Sequence, residues 1–223
     1  MRVAIVGNGK TGSAVSDLLS QEEVAGIYDS KNILTLEALQ NIDIAIVFVN
    51  AKVLQELLPT LLESNVPVIC GTTGYNWDQN FINFVNQNQK TWVVANNFSL
   101  SMVIIKNMLA SLGQLEQLNE GINYSITEKH HIHKVDSPSG TAVSWRSWLS
   151  IGDVSIESIR EGDIKGQHQV KVNTPHETIE LKHTAHNRSL FAEGAIWAAR
   201  EAVERAITGF VYFDELVGER LCL

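Results

Sequence analysis

Histidine is the side chain best suited to moving a proton near neutral pH, because its ordinary pKa is about 6.5. This chain has seven, and all lie beyond residue 129: His130, His131, His133, His168, His176, His183 and His186. The densest run is Glu128-Lys129-His130-His131-Ile132-His133-Lys134. Three readings compete for it. A metal could sit on His131 and His133, which would share one face of a strand. No cysteine stands nearby, however, and no H-E-x-x-H spacing occurs, so no metal is expected. The run could be a solvated polar loop. Or it could be an acid–base centre for an anionic substrate, with Lys134 supplying a fixed positive charge. In a straight strand residues 130 and 134 would stand roughly 13 Å apart, so sharing one ligand demands a bend between them. Asp136-Ser137-Pro138-Ser139-Gly140-Thr141-Ala142 comes next and leads into a helix. Ser139, Gly140 and Thr141 can turn amides and hydroxyls toward a carboxylate, each contact at a helix start contributing roughly 0.3–1 kcal/mol when exposed. Simple N-capping accounts for the same residues, and both can hold at once.

A second cluster stands at the other end of the chain. Gly7-Asn8-Gly9-Lys10-Thr11-Gly12 fits G-x-G-x-x-G between an apolar run and a helical pattern. The glycines serve a tight turn, the close approach of a pyrophosphate and close helix packing, and the helix start favours phosphate. Asp29 stands 20 residues after Gly9, the spacing of the acid that holds a ribose 2′-hydroxyl. A plain turn with an exposed aspartate is the competing reading. A carboxylate repels a 2′-phosphate, which favours NADH over NADPH. Lys10 and Lys31 temper that, and dual use with an NADH preference is expected. Gly71-Thr72-Thr73-Gly74 and Ala95-Asn96-Asn97-Phe98 follow two further apolar runs. Both would lie at the carboxyl edge of a parallel sheet, where ligands bind in such folds. Their hydroxyls, carboxamides and backbone suit a ribose or a nicotinamide amide.

These residues need a scaffold, and the patterning supplies one. Up to residue 95, short apolar runs (Val3–Val6, Val24–Tyr28, Ile42–Val49, Val66–Cys70 and Trp92–Ala95) alternate with amphipathic helical stretches. The clearest stretch carries Val53, Leu54, Leu57, Leu58, Leu61 and Leu62. That predicts a Rossmann-like, doubly wound parallel sheet covered on both faces. The pattern then changes. Ser99–Leu118 reads as one long helix. Ile122–Thr127, Val154–Ile159, Gln169–Val172 and Glu177–His183 read as strands of a mixed or antiparallel sheet, with a short helix over Thr141–Leu149. Ser189–Ile207 reads as a final helix that returns to the first domain. The expected division is therefore α/β over residues 1–97 and 189–223, and a smaller α+β unit over residues 98–188.

Composition narrows the classes. The 223 residues are 44% hydrophobic and 19% charged, with a net charge of −8. That balance argues against nucleic acid as partner, since phosphate neutralisation needs clustered cations. The apolar runs are far shorter than the ~20 residues that span a bilayer, and the first is shorter than a signal-peptide core. No membrane partner and a cytoplasmic location are expected. Two cysteines, Cys70 and Cys222, do not make a disulfide framework.

Taken together, the motifs resemble the dihydrodipicolinate reductase (4-hydroxy-tetrahydrodipicolinate reductase) family, which serves the diaminopimelate route to lysine. Glu128 to Ala142 is similar to that family's E-x-H-H-x-x-K-x-D-A-P-S-G-T-A. Gly71–Gly74 is similar to its GTTG, Asn97-Phe98-Ser99 to its NFS, and Arg160 to His168 to its R-x-G-x-I-x-G-x-H. Phe191-Ala192-Glu193-Gly194-Ala195 is similar to its FAxGA. The resemblance implies a two-domain subunit, a homotetramer joined through the substrate-domain sheets, and hydride transfer from NADH or NADPH to a small cyclic dicarboxylate. It implies that His130 protonates the substrate with Lys134 as partner, and that His131, Gly140 and Thr141 hold its carboxylates. The chain departs from the family in a glycine-rich turn one residue shorter with Thr11 in place of Met, in Val47-Phe48-Val49 after the third strand, in Ser137 for Ala, and in missing residues around Leu149–Asp153. Two other functions fit parts of the pattern: another NAD-dependent amino-acid dehydrogenase, and a non-catalytic dinucleotide sensor.

Overall fold

The computed structural model describes residues 1–118, 120–152 and 154–222. Asp153, in the shortened stretch, lies outside them. Contacts divide the chain into two units, Met1–Leu100 with Arg188–Leu223, and Ser101–Asn187.

In the first unit the apolar runs become strands β1 (Val3–Val6), β2 (Val24–Tyr28), β3 (Ile44–Val47), β4 (Val68–Cys70) and β5 (Thr91–Val94). All but β2 are buried along their whole length, as strands covered on both faces must be. Between them run α1 (Lys10–Leu18), α2 (Ala51–Ser64) and α3 (Gln79–Gln87). Asn50 caps α2 by accepting from the Val53 amide at 3.0 Å, and Asp78 caps α3 by accepting from Phe81 at 2.8 Å. The long helix near the C-terminus is α6 (Ser189–Glu204), which packs on α1. Beyond it the chain forms a sixth strand, β10 (Gly209–Tyr212), and a last helix, α7 (Phe213–Leu221). β10 pairs parallel with β5, so the sheet order is β10-β5-β4-β3-β1-β2, all parallel. The order reverses between β1 and β3, and that is where a doubly wound sheet opens a crevice.

The second unit holds most of α4 (Leu100–Gly113), then β6 (Asn123–His130), α5 (Gly140–Leu149), β7 (Ser155–Arg160), β8 (Gln167–Asn173) and β9 (Thr178–Thr184). The helix expected to reach Leu118 stops at Gly113 and continues as a 3₁₀ turn over Gln114–Gln117. Gly113 lies so close to the Leu149 carbonyl that a Cβ there would stand 1.8 Å from the oxygen. The sheet is mixed, in the order β7-β6-β8-β9. β7 runs parallel to β6, while β8 and β9 are antiparallel to their neighbours. The α5 crossover between β6 and β7 makes the parallel pairing possible. One sheet face packs with Leu109, Trp145 and Leu149 into a core that includes Ile126, Val170 and Val172.

Candidate active site

In the first unit, four strand ends surround a crevice of about 470 Å³. Gly9, Lys10 and Thr11 line it after β1, Phe48 and Val49 after β3, Gly71 and Thr73 after β4, and Asn96 to Phe98 after β5, with Arg188 and Phe191 from the start of α6. The three motif glycines divide their work as the spacing implies. Gly7 sits at φ +104°, open to glycine and strained for other residues, and a Cβ on Gly12 would stand 1.8 Å from the Gly7 carbonyl oxygen. Gly9 is different: a Cβ there would meet nothing within 4 Å. It is the N-cap of α1, and no side chain caps that helix. The first-turn amides therefore have no intrahelical partner and sit beside open space, which is the cradle a phosphate requires. Asp29 is fixed in place. Its Oδ1 accepts from the amides of Lys31 (2.8 Å) and Asn32 (3.1 Å), and its Oδ2 from Asn8 Nδ2 at 3.5 Å. Those backbone hydrogen bonds hold its carboxyl below the usual carboxylate range. The residues present fit a dinucleotide.

Several expected contacts are spent elsewhere. Thr72 is buried with its hydroxyl beside the Cys70 thiol, so it faces the core and not the crevice. Asn8 bridges Asp29 and Ser13, whose hydroxyl donates to Asn8 Oδ1 at 3.2 Å. Ala95 uses its amide on the Cys70 carbonyl, and Asn97 Oδ1 accepts from the Ser99 amide at 2.9 Å. The Phe98 ring is buried between Phe48 and Phe213. Gly71 is required by Phe48, since a Cβ there would fall 2.1 Å from that ring. Arg188 and Phe191 were not expected as lining. They stand some ninety residues beyond the last β-edge motif, and only the fold brings them to it.

The second unit gathers the histidine cluster. Alternation along β6 puts Tyr124, Ile126, Glu128 and His130 on the packed face. Glu128 is fully buried and His130 is 7% exposed. The Nδ1 of His130 is hydrogen-bonded to Glu128 Oε2, and Arg160 Nη1 lies 2.9 Å from Glu128 Oε1. Burial alone would raise the Glu128 pKa. The hydrogen bonds from Ser158, Arg160 and His130 outweigh it, and the carboxyl is held below its ordinary range. Burial pushes the His130 pKa down, Glu128 opposes that, and Lys134 and Arg160 add to the fall. The expected bend is present, with the Lys134 amide donating to the His131 carbonyl at 3.1 Å. Arg160 clamps the bend by donating to the carbonyls of Lys134 and Asp136. The Lys134 ammonium donates to Asp136 Oδ1 at 2.7 Å. His131 lies in the turn, its ring 6.3 Å from that of His133.

Ser139 takes the N-cap position. It is 2% exposed, and its hydroxyl accepts from the Ala142 amide at 3.2 Å as the N-cap of α5. The same oxygen lies 3.0 Å from His168 Nε2. Its side chain is thus consumed by structure, while Gly140 is exposed with open space where a Cβ would stand and Thr141 is half-buried beside it. Ser139 ties the start of α5 to His168, whose ring centroid is 5.1 Å from that of His130. Glu128, His130 and His168 bring one donor atom each within 4.8 Å of one another, the spacing of a cation site. Glu128 already carries the His130 hydrogen bond and the Arg160 charge, which oppose a second cation. The donor set serves an ion-pair network.

Residues 1–98 match the family model for the N-terminus of dihydrodipicolinate reductase, and residues 101–217 match the model for its C-terminus. A 4-hydroxy-tetrahydrodipicolinate reductase of Nitratiruptor sp. is 33% identical over 95% of this chain and 96% of its own. One from Xylella fastidiosa is 34% identical over 76% of this chain and 71% of its own. Among solved structures, dipicolinate-bound dihydrodipicolinate reductase from Paenisporosarcina sp. TG-14 superposes with a TM-score of 0.73 at 23% identity, covering 95% of this chain and 97% of the other. With both family models and these relatives in agreement, the chain is an oxidoreductase and belongs to the dihydrodipicolinate reductase family.

Proposed function

We propose that the chain reduces 4-hydroxy-tetrahydrodipicolinate to tetrahydrodipicolinate with NADH or NADPH, NADH being preferred. The 4-hydroxyl and a hydrogen on the adjacent ring carbon leave as water, giving a C=C bond conjugated to the ring imine, and reduction then adds one hydride and one proton across that bond. The nicotinamide, when bound, supplies the hydride. His130 supplies the proton from Nε2, and Lys134 holds positive charge beside it. Gly140 and Thr141, at the start of α5, and His131 in the turn receive the two carboxylates. The observation that carries this reading is the joining of three elements within one unit: the buried His130–Glu128 pair, the clamped Lys134 bend and the α5 start tied through Ser139 to His168. A positioned acid contributes about 10²–10⁴-fold. NADH oxidation by wild type and His130→Gln, with enzymatically generated substrate, is therefore expected to show kcat reduced at least about a hundredfold in the variant. Unchanged turnover would return the chain to the dinucleotide-sensor reading.

The cofactor preference rests on Asp29, whose carboxylate, held by the Lys31 and Asn32 amides, would repel a 2′-phosphate. Even a solvent-screened charge pair at 4 Å is worth about 1 kcal/mol. Asp29→Asn should thus shift the NADPH-to-NADH ratio of kcat/KM upward by roughly fivefold or more. A wild type that prefers NADPH refutes the assignment. The face of the second sheet away from Trp145 carries Ser125, Thr127, Gln169, Lys171, Glu180 and Lys182, and a homotetramer formed through it would have about four times the chain mass of 24.7 kDa. A monomer by light scattering at assay concentration excludes it.

A further inference from the structure

We propose that Glu128 is the positioning residue of the acid: it holds Nδ1 of His130, so that the transferred proton leaves from Nε2, and its charge sustains the imidazolium that must form before each turnover. This rests on the reading of His130 as proton donor. Glu128 occupies a core-facing position of β6 beside Ile126 and is fully buried. An unpaired charge there is strongly unfavourable, so its retention requires partners. Its partners are the Nδ1–H of His130, hydrogen-bonded to Oε2, and the Arg160 guanidinium, 2.9 Å from Oε1.

An ionised carboxylate only accepts hydrogen bonds, so the nitrogen facing it must carry the hydrogen. The neutral ring is thereby fixed as the Nδ1–H tautomer with Nε2 bare, the state an acid must reach after giving its proton from Nε2. Glycine at position 166 leaves room beside that second nitrogen. Nε2 lies over Gly166, where a Cβ would stand 3.2 Å away.

The charges around His130 come from every neighbouring element. Arg160 faces it from β7, His168 from β8 and Lys134 from the following bend, where Asp136 pairs with Lys134; His183 on β9 lies behind His168. Among the described residues, Glu128 is the negative group in contact with His130, and it favours the protonated ring.

Activity that needs protonated His130 falls as pH rises through the acid's pKa. In Glu128→Gln that descending limb of the kcat profile should move at least about one unit toward acid, costing roughly tenfold on the alkaline side and recovering toward wild type below the new limb. A purely structural Glu128, serving only to neutralise Arg160, predicts a uniform loss with the limb unmoved, and that result overturns the proposal. Nitrogen NMR of histidine-labelled wild type adds a test that does not depend on the variant folding. The signals lost in His130→Gln should show the Nδ1–H tautomer when neutral, and an Nε2–H tautomer overturns the proposal. If His130→Gln itself retains full turnover, the assigned reaction mechanism fails. If His130→Gln is inactive while the Glu128→Gln limb stays in place, only the positioning role fails.

Discussion

A buried imidazole is a liability in acid, and His168 makes that measurable. It is 5% exposed, and burial first, then the nearby His130, push its pKa down to about 4 from an ordinary 6.5. Between those values the unfolded chain binds a proton that the folded chain refuses. Stability from this residue is thus fully present above pH 6.5 and is lost as pH falls toward 4. Wild-type Tm should drop across that window more steeply than in His168→Gln, which keeps an atom able to meet the Ser139 hydroxyl. The difference should amount to several degrees for a chain of this size. Parallel Tm–pH curves for the two proteins would show that His168 does not resist protonation. The same side chain holds the α5 N-cap, so protonation also acts on the element that presents Gly140 and Thr141.

At the scale of elements, the β1–α1 turn separates glycines needed by the fold from the glycine needed by the ligand. Gly9→Ala should fold normally, because its φ of −83° suits any residue and its Cβ enters open space. Its methyl group would occupy the cradle above the uncapped helix, and dinucleotide Kd should rise about tenfold or more while Tm holds. Gly12→Ala should instead lose roughly 1–3 kcal/mol by forcing α1 away from the Gly7 carbonyl. Calorimetry and fluorescence titration of both variants check this, and unaltered affinity in Gly9→Ala would remove the pyrophosphate from that position. These elements were legible in the sequence because strands buried on both faces read as continuous apolar runs, and the spacing of Gly7, Gly9, Gly12 and Asp29 is local. What was not legible was long-range. β10 is four half-exposed residues at a sheet edge, with no periodicity to announce it. The parallel direction of β7 depends on the α5 crossover and leaves no trace in its apolar pattern. Glu128 had a signal, the alternation that places it with Tyr124, Ile126 and His130, but its partners Arg160 and His168 arrive through cross-strand register. The N-cap role of Ser139 was legible in the sequence, whereas its contact with His168, 29 residues away, was not.

For the whole molecule, the question is how a chain of net charge −8 binds two anionic ligands. The answer turns on range. At 0.15 M salt, charges are screened over about 8 Å, so most of the acidic residues spread over 12205 Å² of surface are felt weakly at any one crevice. Lys10 and Arg188 line the first unit's crevice, and Lys134 and Arg160 lie beside His130 in the second. A cation in contact with an anion contributes about 1 kcal/mol even at the dielectric of water and more when partly desolvated. The local cations therefore outweigh the global field, and added salt should weaken binding. Raising NaCl from about 0.05 to 0.5 M shortens the screening length from beyond 10 Å to roughly 4 Å. KM for dinucleotide and for the dicarboxylate should each rise severalfold over that range with little change in kcat, the pattern of lost uniform binding. Arg188→Met should flatten the salt dependence for the dinucleotide and leave that for the dicarboxylate in place. A KM that falls with salt would mean that the net negative field dominates, and that these local cations are not what draws each ligand in.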